Sequence, residues 1–180
     1  MLQAFLKYID QENILLPEQR VLLAVSGGID SMVLADLFSN TGFDFGVVHC
    51  NFGLRGKDSD NDESFVADWA ARHQKKYFSK RFDVNNLVNA GKSIQMAARE
   101  LRYAWFHELL KQHNYHFIAT AHHANDSIET FLFNLSKGTG LKGLRGIMPR
   151  QGYIIRPLLF ASKQQIEAYA HDHEIQWRED

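Results

Sequence analysis

The chain has 180 residues, of which 45% are hydrophobic and 23% charged, with one cysteine and a formal net charge of −1. This composition is typical of a globular domain, and a chain of this length can bury a full core without disulfides or structural zinc. The lone Cys50 excludes an internal disulfide and argues against zinc and iron–sulfur sites built from several thiolates. Because the sequence also shows no secretory leader and no apolar run of membrane-spanning length, we expect one cytoplasmic domain over residues 1–180.

Short apolar, β-branched runs alternate along the chain with longer amphipathic segments. The runs predict five strands, at 21–25, 43–48, 76–82, 117–120 and 153–155. The segments between them predict helices over 31–38, 64–74 and 97–109, one that begins near His123 and one that begins at Ser162. This alternation predicts a doubly wound α/β fold, in which a mainly parallel five-stranded sheet carries helices on both faces. Ligands of such folds bind at the carboxyl ends of the strands.

Charge is distributed unevenly along the chain. Segment 58–68 has five acidic residues and no basic one, whereas segment 130–166 has six basic residues and no acidic one. The near-zero net charge argues against a protein that coats nucleic acid through bulk electrostatics. The basic stretch is either a local surface for a polyanion or an ordinary solvated loop.

A glycine turn joins the first predicted strand to the first predicted helix. Backbone N–H groups around Gly27 and Gly28 would favour an anion at the helix N-terminus, and the hydroxyls of Ser26 and Ser31 add donors. Neither a Walker A lysine nor a G-x-G-x-x-G pattern is present. The alternative is a tight strand–helix turn without a ligand. Asp30 would repel a phosphate, so it either bridges to Mg²⁺ or caps the helix.

Two carboxylates follow the fourth predicted strand. From the helix start near His123, residues His122, Asp126 and Glu129 fall on one face and point toward the same crevice as Asp30. Three converging carboxylates would suit Mg²⁺ beside a phosphate. The alternative is an acidic first turn stabilised by the helix dipole. Because Mg²⁺ prefers oxygen ligands, we assign hydrogen-bonding or packing roles to the two histidines.

Two segments carry basic side chains that can contact phosphate or a polyanion. Arg99 and Arg102 share a helical face and can bind phosphate or a base edge, unless they form a solvated surface stripe. The glycine-rich segment 138–146 carries Lys142 and Arg145, which suit contacts with a polyanion. Its alternative role is a flexible connection to the last strand.

The segment S-G-G-I-D-S at 26–31 resembles the S-G-G-x-D-S signature of the N-type ATP pyrophosphatase, or PP-loop, superfamily. Its members split ATP between the α and β phosphates and transfer AMP to a substrate oxygen, on a Rossmann-like fold similar to the adenine nucleotide alpha hydrolases. Five further segments are similar to motifs of the tRNA(Ile)-lysidine synthase family. They are H-C-N-F-G-L-R-G at 49–56, A-A-R-E-L-R-Y at 97–103, A-H-H-A-N-D-S-I-E-T at 121–130, the glycine-rich segment at 138–146 and R-P-L at 156–158.

This resemblance implies a ligase that uses ATP and Mg²⁺ to join free lysine to C2 of the wobble cytidine in the CAU anticodon of isoleucine tRNA. The cytidine is first adenylated, and pyrophosphate and AMP are released. The implied catalytic and metal-binding residues are Asp30, Asp126 and Glu129. The implied ATP-binding residues are Ser26, Gly27, Gly28, Ile29, Asp30, Ser31, His49 and Asn51. The implied tRNA- or substrate-binding residues are Arg55, Arg99, Arg102, Lys142 and Arg145.

The sequence departs from the family pattern at three positions. Asn125 and Ser127 replace a usual Asp and Gln, and Gln95 stands where the family often has an acid, so no carboxylate role transfers to Asn125 or Gln95. We expect the family's C-terminal tRNA-binding domains to be absent from this chain, and a homodimer is open.

The sequence leaves two alternative functions. A tRNA thiolase would deliver sulfur through paired cysteines or an iron–sulfur cluster, and we assign Cys50 no chemistry; a non-catalytic nucleotide-binding module would not need the carboxylate pair or the basic glycine loop.

Overall fold

The computed structural model describes residues 1–83, 93–138 and 146–179, in which strands and helices alternate. The helices are α1 (Leu2–Gln11), α2 (Ile29–Ser39), α3 (Lys57–Arg72), α4 (Ile94–His113), α5 (Ala124–Ser136) and α6 (Lys163–Asp172). The strands are β1 (Val21–Ala24), β2 (Phe45–Asn51), β3 (Tyr77–Arg81), β4 (Phe117–Ala119), β5 (Arg150–Gln151) and β6 (Ile154–Ile155). The five predicted strands and five predicted helices are all present, and α1 and β5 are additional elements.

The strands form one sheet in the order β3-β2-β1-β4-β6-β5. Its first five strands are parallel, with Val21 of β1 opposite Phe45 on one side and Phe117 on the other. The two-residue β5 is antiparallel to β6 and forms a sixth strand at the edge. The predicted mainly parallel sheet is therefore confirmed, and the predicted strand number is corrected from five to six because β5 is too short to give a pattern.

Helices cover both faces of the sheet, as the sequence predicts. One core cluster joins the sheet to α1, α2, α3 and α6 and includes the buried Phe5, Leu34, Trp69 and Ile166. A smaller cluster packs Trp105 of α4 and its neighbours against the other face. Helix α2 is buried on nearly all sides, which explains why its sequence is almost wholly apolar. Among the described residues, no helix combines the length and the apolar character needed to cross a membrane.

Candidate active site

A cleft of about 470 Å³ opens at the carboxyl ends of β1 and β4. Its walls come from the turn between β1 and α2, one side of α4, the segment after β4, the start of α6 and residues 177–179. In the sheet, β2 and β3 lie on one side of β1, and β4 lies on its other side. The strand order therefore reverses at this point. Open α/β sheets bind ligands at such a reversal, which is where the sequence predicts the site.

The glycine turn is held in shape by its own serine side chains. Ser31 Oγ accepts hydrogen bonds from the backbone N–H groups of Ser26 and Gly27, both at 3.2 Å, and donates to Gly28 O at 2.8 Å. Gly27 has φ +102°, a conformation that L side chains rarely adopt, so glycine is needed there. Helices leave their first amide groups without intrahelical partners, and the first turn of α2 therefore presents N–H donors to the cleft.

Asp30 lies in the first turn of α2 and forms an ion pair across the cleft. Its Oδ1 is 2.7 Å from Lys163 Nζ and 3.8 Å from His123 Nε2. Gly28 is the N-cap of α2 and no side chain caps the helix. Of the two roles that the sequence left open for Asp30, helix capping is therefore wrong. Lys163 was not singled out by sequence reasoning as a site residue.

Asp126 lies across the cleft from Asp30, at the start of α5. Its Oδ2 accepts the backbone N–H of His123 at 2.7 Å, so this carboxylate caps its own helix as well as lining the cleft. Glu129 instead lines a neighbouring cavity of about 610 Å³, which Asp126 shares. The structure thus brings together two of the three predicted carboxylates.

The donor set fits a magnesium ion of the usual substrate-bridging kind. Mg²⁺ commonly binds one or two carboxylates together with phosphate oxygens and water, and Asp30 and Asp126 supply that number. Within residues 1–83, 93–138 and 146–179, no group of three or more His, Cys, Asp or Glu side chains is arranged to hold a metal without such a partner. A metal here would therefore depend on the phosphates of a bound nucleotide.

A histidine and two arginines lie between the cleft and the neighbouring cavity. His122 Nδ1 is 2.8 Å from Thr120 Oγ1. Burial lowers the pKa of His122 below its usual range, the charge of Arg156 and then that of Arg99 lower it further, and the charge of Asp126 partly opposes them. The lowered pKa favours the neutral imidazole, and the contact with Thr120 is compatible with the hydrogen-bonding role that the sequence predicts, which stays a prediction.

Arg156 is a cavity residue to which sequence reasoning gave no role. Its guanidinium is buried and donates to Met148 O at 2.7 Å and to Gln151 Oε1 at 3.3 Å. Its Nε is buried with no hydrogen-bond partner among the described residues. The R-P-L segment was noted in the sequence only as a motif, although an arginine between apolar residues at a strand end is itself a signal of a buried cation.

The arginines of α4 lie beside the cleft, and their role in binding nucleotide or tRNA stays a prediction. Arg99 and Arg102 both line it, and their guanidinium groups lie over the rings of Tyr103 at 4.9 Å and Phe52 at 5.3 Å. Gln95 is exposed in the first turn of the same helix. Lys142, Arg145 and most of the glycine-rich segment lie outside the described residues.

His49 and Asn51 do not line the cleft, because β2 extends through both and carries them into the protein. His49 Nδ1 is 2.8 Å from Val25 O. The buried amide of Asn51 donates to Asp60 Oδ1 at 3.0 Å and to Glu63 Oε2 at 2.8 Å. These contacts join β2 to β1 and to α3, and an ATP-binding role for either residue stays a prediction.

Arg55 belongs to a cluster that supports the glycine turn. The buried carboxylate of Asp62 accepts hydrogen bonds from Arg55 Nη2 at 2.7 Å and from Arg178 Nε at 3.1 Å. The backbone N–H of Arg178 in turn donates to Gly27 O at 2.9 Å. The segment after α6 therefore returns to the cleft and fixes one side of the turn. Sequence reasoning missed Asp62 and Arg178, which are 116 residues apart.

Asn125, the departure from the family pattern, has a structural contact of its own. Its Oδ1 accepts the backbone N–H of Lys163 at 3.0 Å, and the neighbouring Ala124 N–H donates to Ala161 O at 2.9 Å. These two bonds join the start of α5 to the start of α6. An amide oxygen satisfies this donor without adding a charge.

Comparison with known proteins establishes the family. A family model described as the PP-loop domain matches residues 2–180, and the chain belongs to that family. It is 42% identical over 168 residues to the tRNA(Ile)-lysidine synthase of Bacteroides thetaiotaomicron, and 46% identical over 181 residues to that of Chlorobaculum tepidum. These alignments cover 93% and 98% of this chain but only 39% and 55% of the two relatives, so the chain spans about half of their length or less.

The fold is also similar to that of a solved tRNA-modifying protein. The U34-tRNA thiolase of Methanococcus maripaludis, solved with its 4Fe–4S cluster, matches with a TM-score of 0.76 at 17% identity. The match covers 98% of this chain and 67% of the thiolase. At that identity the likeness concerns the fold alone.

Proposed function

We propose that this chain is the ATP-using part of a tRNA(Ile)-lysidine synthase, a ligase that joins lysine to C2 of the wobble cytidine in the CAU anticodon of isoleucine tRNA. The observation that carries the proposal is the cleft, in which the PP-loop turn, Asp30, Asp126 and the arginines of α4 meet at the strand-order reversal. The resemblance to synthases over nearly the whole chain supplies the substrates. Because the reaction uses tRNA and free lysine, we place it in the cytoplasm.

The first half of the reaction adenylates the cytidine. The cytosine C2 oxygen attacks the α-phosphorus of ATP, a new P–O bond forms, and the bond to the β-phosphate breaks with its electron pair on the leaving pyrophosphate. The first-turn amides of α2 bind the phosphates, and Arg99 and Arg102 orient the nucleotide or the tRNA base. Mg²⁺, held by Asp30 and Asp126, would neutralise charge on the leaving group.

The second half transfers lysine. A neutral lysine amine attacks C2 of the activated cytidine, the C2–O bond breaks, and AMP leaves with the bonding electrons. The nitrogen then loses a proton, which requires a base. Asp126 and Glu129 are the candidates, because both border the cavity next to the cleft. Lys142 and Arg145 of segment 130–166, with Arg55, would contact the tRNA backbone.

Incorporation of labelled lysine into isoleucine tRNA tests the proposal, with ATP and tRNA each omitted in turn. Labelled product should form only when ATP and tRNA are both present. Labelled product that forms without tRNA would refute the proposal. Asp30→Ala should abolish incorporation, because it removes a carboxylate from the phosphate site. The matched control is Asp10→Ala on the exposed side of α1, which should keep full activity. Near-normal turnover of the Asp30 variant would contradict the metal assignment.

The thiolase alternative is not favoured by the site. Sulfur transfer needs a reactive thiol or a cluster, and the one cysteine of this chain, Cys50, has a pKa raised to about 12 by burial. A non-catalytic ATP-binding module is separated by the same assay, since it would bind ATP without incorporating lysine, and a measurement of pyrophosphate release would also show no turnover.

A further inference from the structure

We propose that Lys163 binds the pyrophosphate that leaves ATP, and that Asp30 holds its ammonium at the cleft until phosphate arrives. The inference rests on the proposed use of the cleft for ATP. Lys163 Nζ lies 2.7 Å from Asp30 Oδ1, both side chains line the cleft, and about a third of each is exposed, 33% and 31%. Because Asp30 is in the first turn of α2, this ammonium lies beside the amides that would bind phosphate.

Stability does not explain a lysine at this position. Lys163 is the first residue of α6, where the helix dipole disfavours a cation. The N-terminus of α6 is already capped by Ser162 and Gln165, whose side chains bond each other's backbone N–H groups at 3.2 and 2.9 Å. An ion pair as exposed as that with Asp30 contributes at most about 1 kcal/mol. The pair is therefore better explained by the ligand that both groups face.

Asn125 fixes the backbone from which the lysine extends. Its Oδ1 accepts the Lys163 N–H at 3.0 Å, which sets where the flexible four-carbon stem begins. Asn125 makes this bond with an uncharged amide oxygen, and the carboxylate that pairs with the Lys163 ammonium is Asp30.

The chemical role needs no proton transfer. When the bond between the α-phosphorus and the bridging oxygen breaks, the electron pair stays on the β-phosphate oxygen. Lys163 Nζ donates hydrogen bonds to that oxygen. Such charge-assisted bonds are the strong class, and removing one changes affinity by about tenfold or more.

Calorimetric titration with pyrophosphate tests the proposal without tRNA or lysine. Lys163→Met should weaken pyrophosphate binding about tenfold or more and leave AMP binding unchanged, whereas Lys163→Arg should keep most of the affinity. The matched control, Lys7→Met on exposed α1, removes the same charge far from the cleft and should change neither. Thermal melts establish that each variant is folded.

The background of Asp30→Asn separates a direct contact from an effect through Asp30. If Lys163 contacts pyrophosphate, Lys163→Met still weakens binding about tenfold when residue 30 is an uncharged amide. If Lys163 serves only to neutralise Asp30, the substitution has no effect in that background, and the proposal is overturned. An equal loss of AMP affinity would also overturn it. Loss of lysine transfer with these binding effects intact would count against the proposed function alone.

Discussion

Replacing Asp62 by alanine tests whether the buried cluster supports both the fold and the glycine turn. The Asp62 side chain is 7% exposed and accepts one hydrogen bond from each of two arginines, at 2.7 and 3.1 Å. Each charge-assisted bond contributes about 1.5–3 kcal/mol. Because both arginine side chains are about 40% exposed and regain water when released, we take the lower value for each. The expected loss in unfolding free energy is about 3 kcal/mol.

The Arg20–Asp44 pair provides the matched control. It has the same 2.7 Å separation, but its carboxylate side chain is 63% exposed. Asp44→Ala should therefore cost less than about 1 kcal/mol. Urea denaturation followed by circular dichroism measures both variants, and at this chain length the Asp62 variant should also melt about 6–12 °C lower.

Nucleotide binding gives the functional half of this test. Loss of Asp62 frees the Arg178 side chain and loosens its backbone bond to Gly27 O, so ATP affinity should fall in Asp62→Ala and stay unchanged in Asp44→Ala. The reasoning is refuted if Asp62→Ala costs no more stability than the surface control. Unchanged ATP affinity in a destabilised variant would show that the cluster holds the fold but not the turn.

Three further predictions concern the sheet, the cysteine and the histidine beside the cleft. Gly46→Ala should cost about 2 kcal/mol in urea denaturation, because the new Cβ would lie 2.5 Å from Tyr115 Oη, and wild-type stability would contradict this contact. Cys50 should react with a thiol reagent at pH 8 at least about a hundredfold more slowly than in the urea-unfolded chain, since burial raises its pKa to about 12; fast labelling of the folded chain would contradict that burial. His122 has a folded pKa below its unfolded value, so stability is full above about pH 6.5 and falls as the pH drops toward the folded value. Between pH 7 and 5 His122→Gln should lose less stability than the unmodified chain, and parallel pH profiles would count against the shift.

Local pattern was sufficient to predict most of the fold. Strands of a parallel sheet are buried on both faces, so their sequences are continuous apolar runs. Helix α2 is apolar throughout for the same reason. The signal for α1 was also present, since Leu2, Phe5 and Ile9 recur at helical spacing. Helix α3 begins at Lys57 rather than at 64, in an acidic stretch that suits a helix N-terminus but masks the apolar periodicity.

The sequence predicts cleft residues that directly follow a strand, but it does not predict contacts between residues that are far apart in the chain. The sequence singles out Asp30 and Asp126 because each follows a strand by a few residues, and both line the cleft. Their catalytic and metal-binding roles stay predictions. Lys163 pairs with Asp30 across 133 positions, and such ion pairs leave no trace in local spacing. The sequence places His49 and Asn51 after β2, but the strand ends at Asn51 rather than at 48 and includes both. Their ATP-binding role stays a prediction.

The segment after α6 gives the cleft a mechanical connection to the end of the described chain. Arg178 bonds to the glycine turn through its backbone and to Asp62 through its side chain, while Trp177 packs against the core. A protein or tag fused just after Glu179 would emerge at the rim of the cleft. Tension on such an extension would act on Gly27 through the hydrogen bond from the Arg178 N–H to Gly27 O. We therefore expect a pulling force to distort the glycine turn before it distorts the sheet.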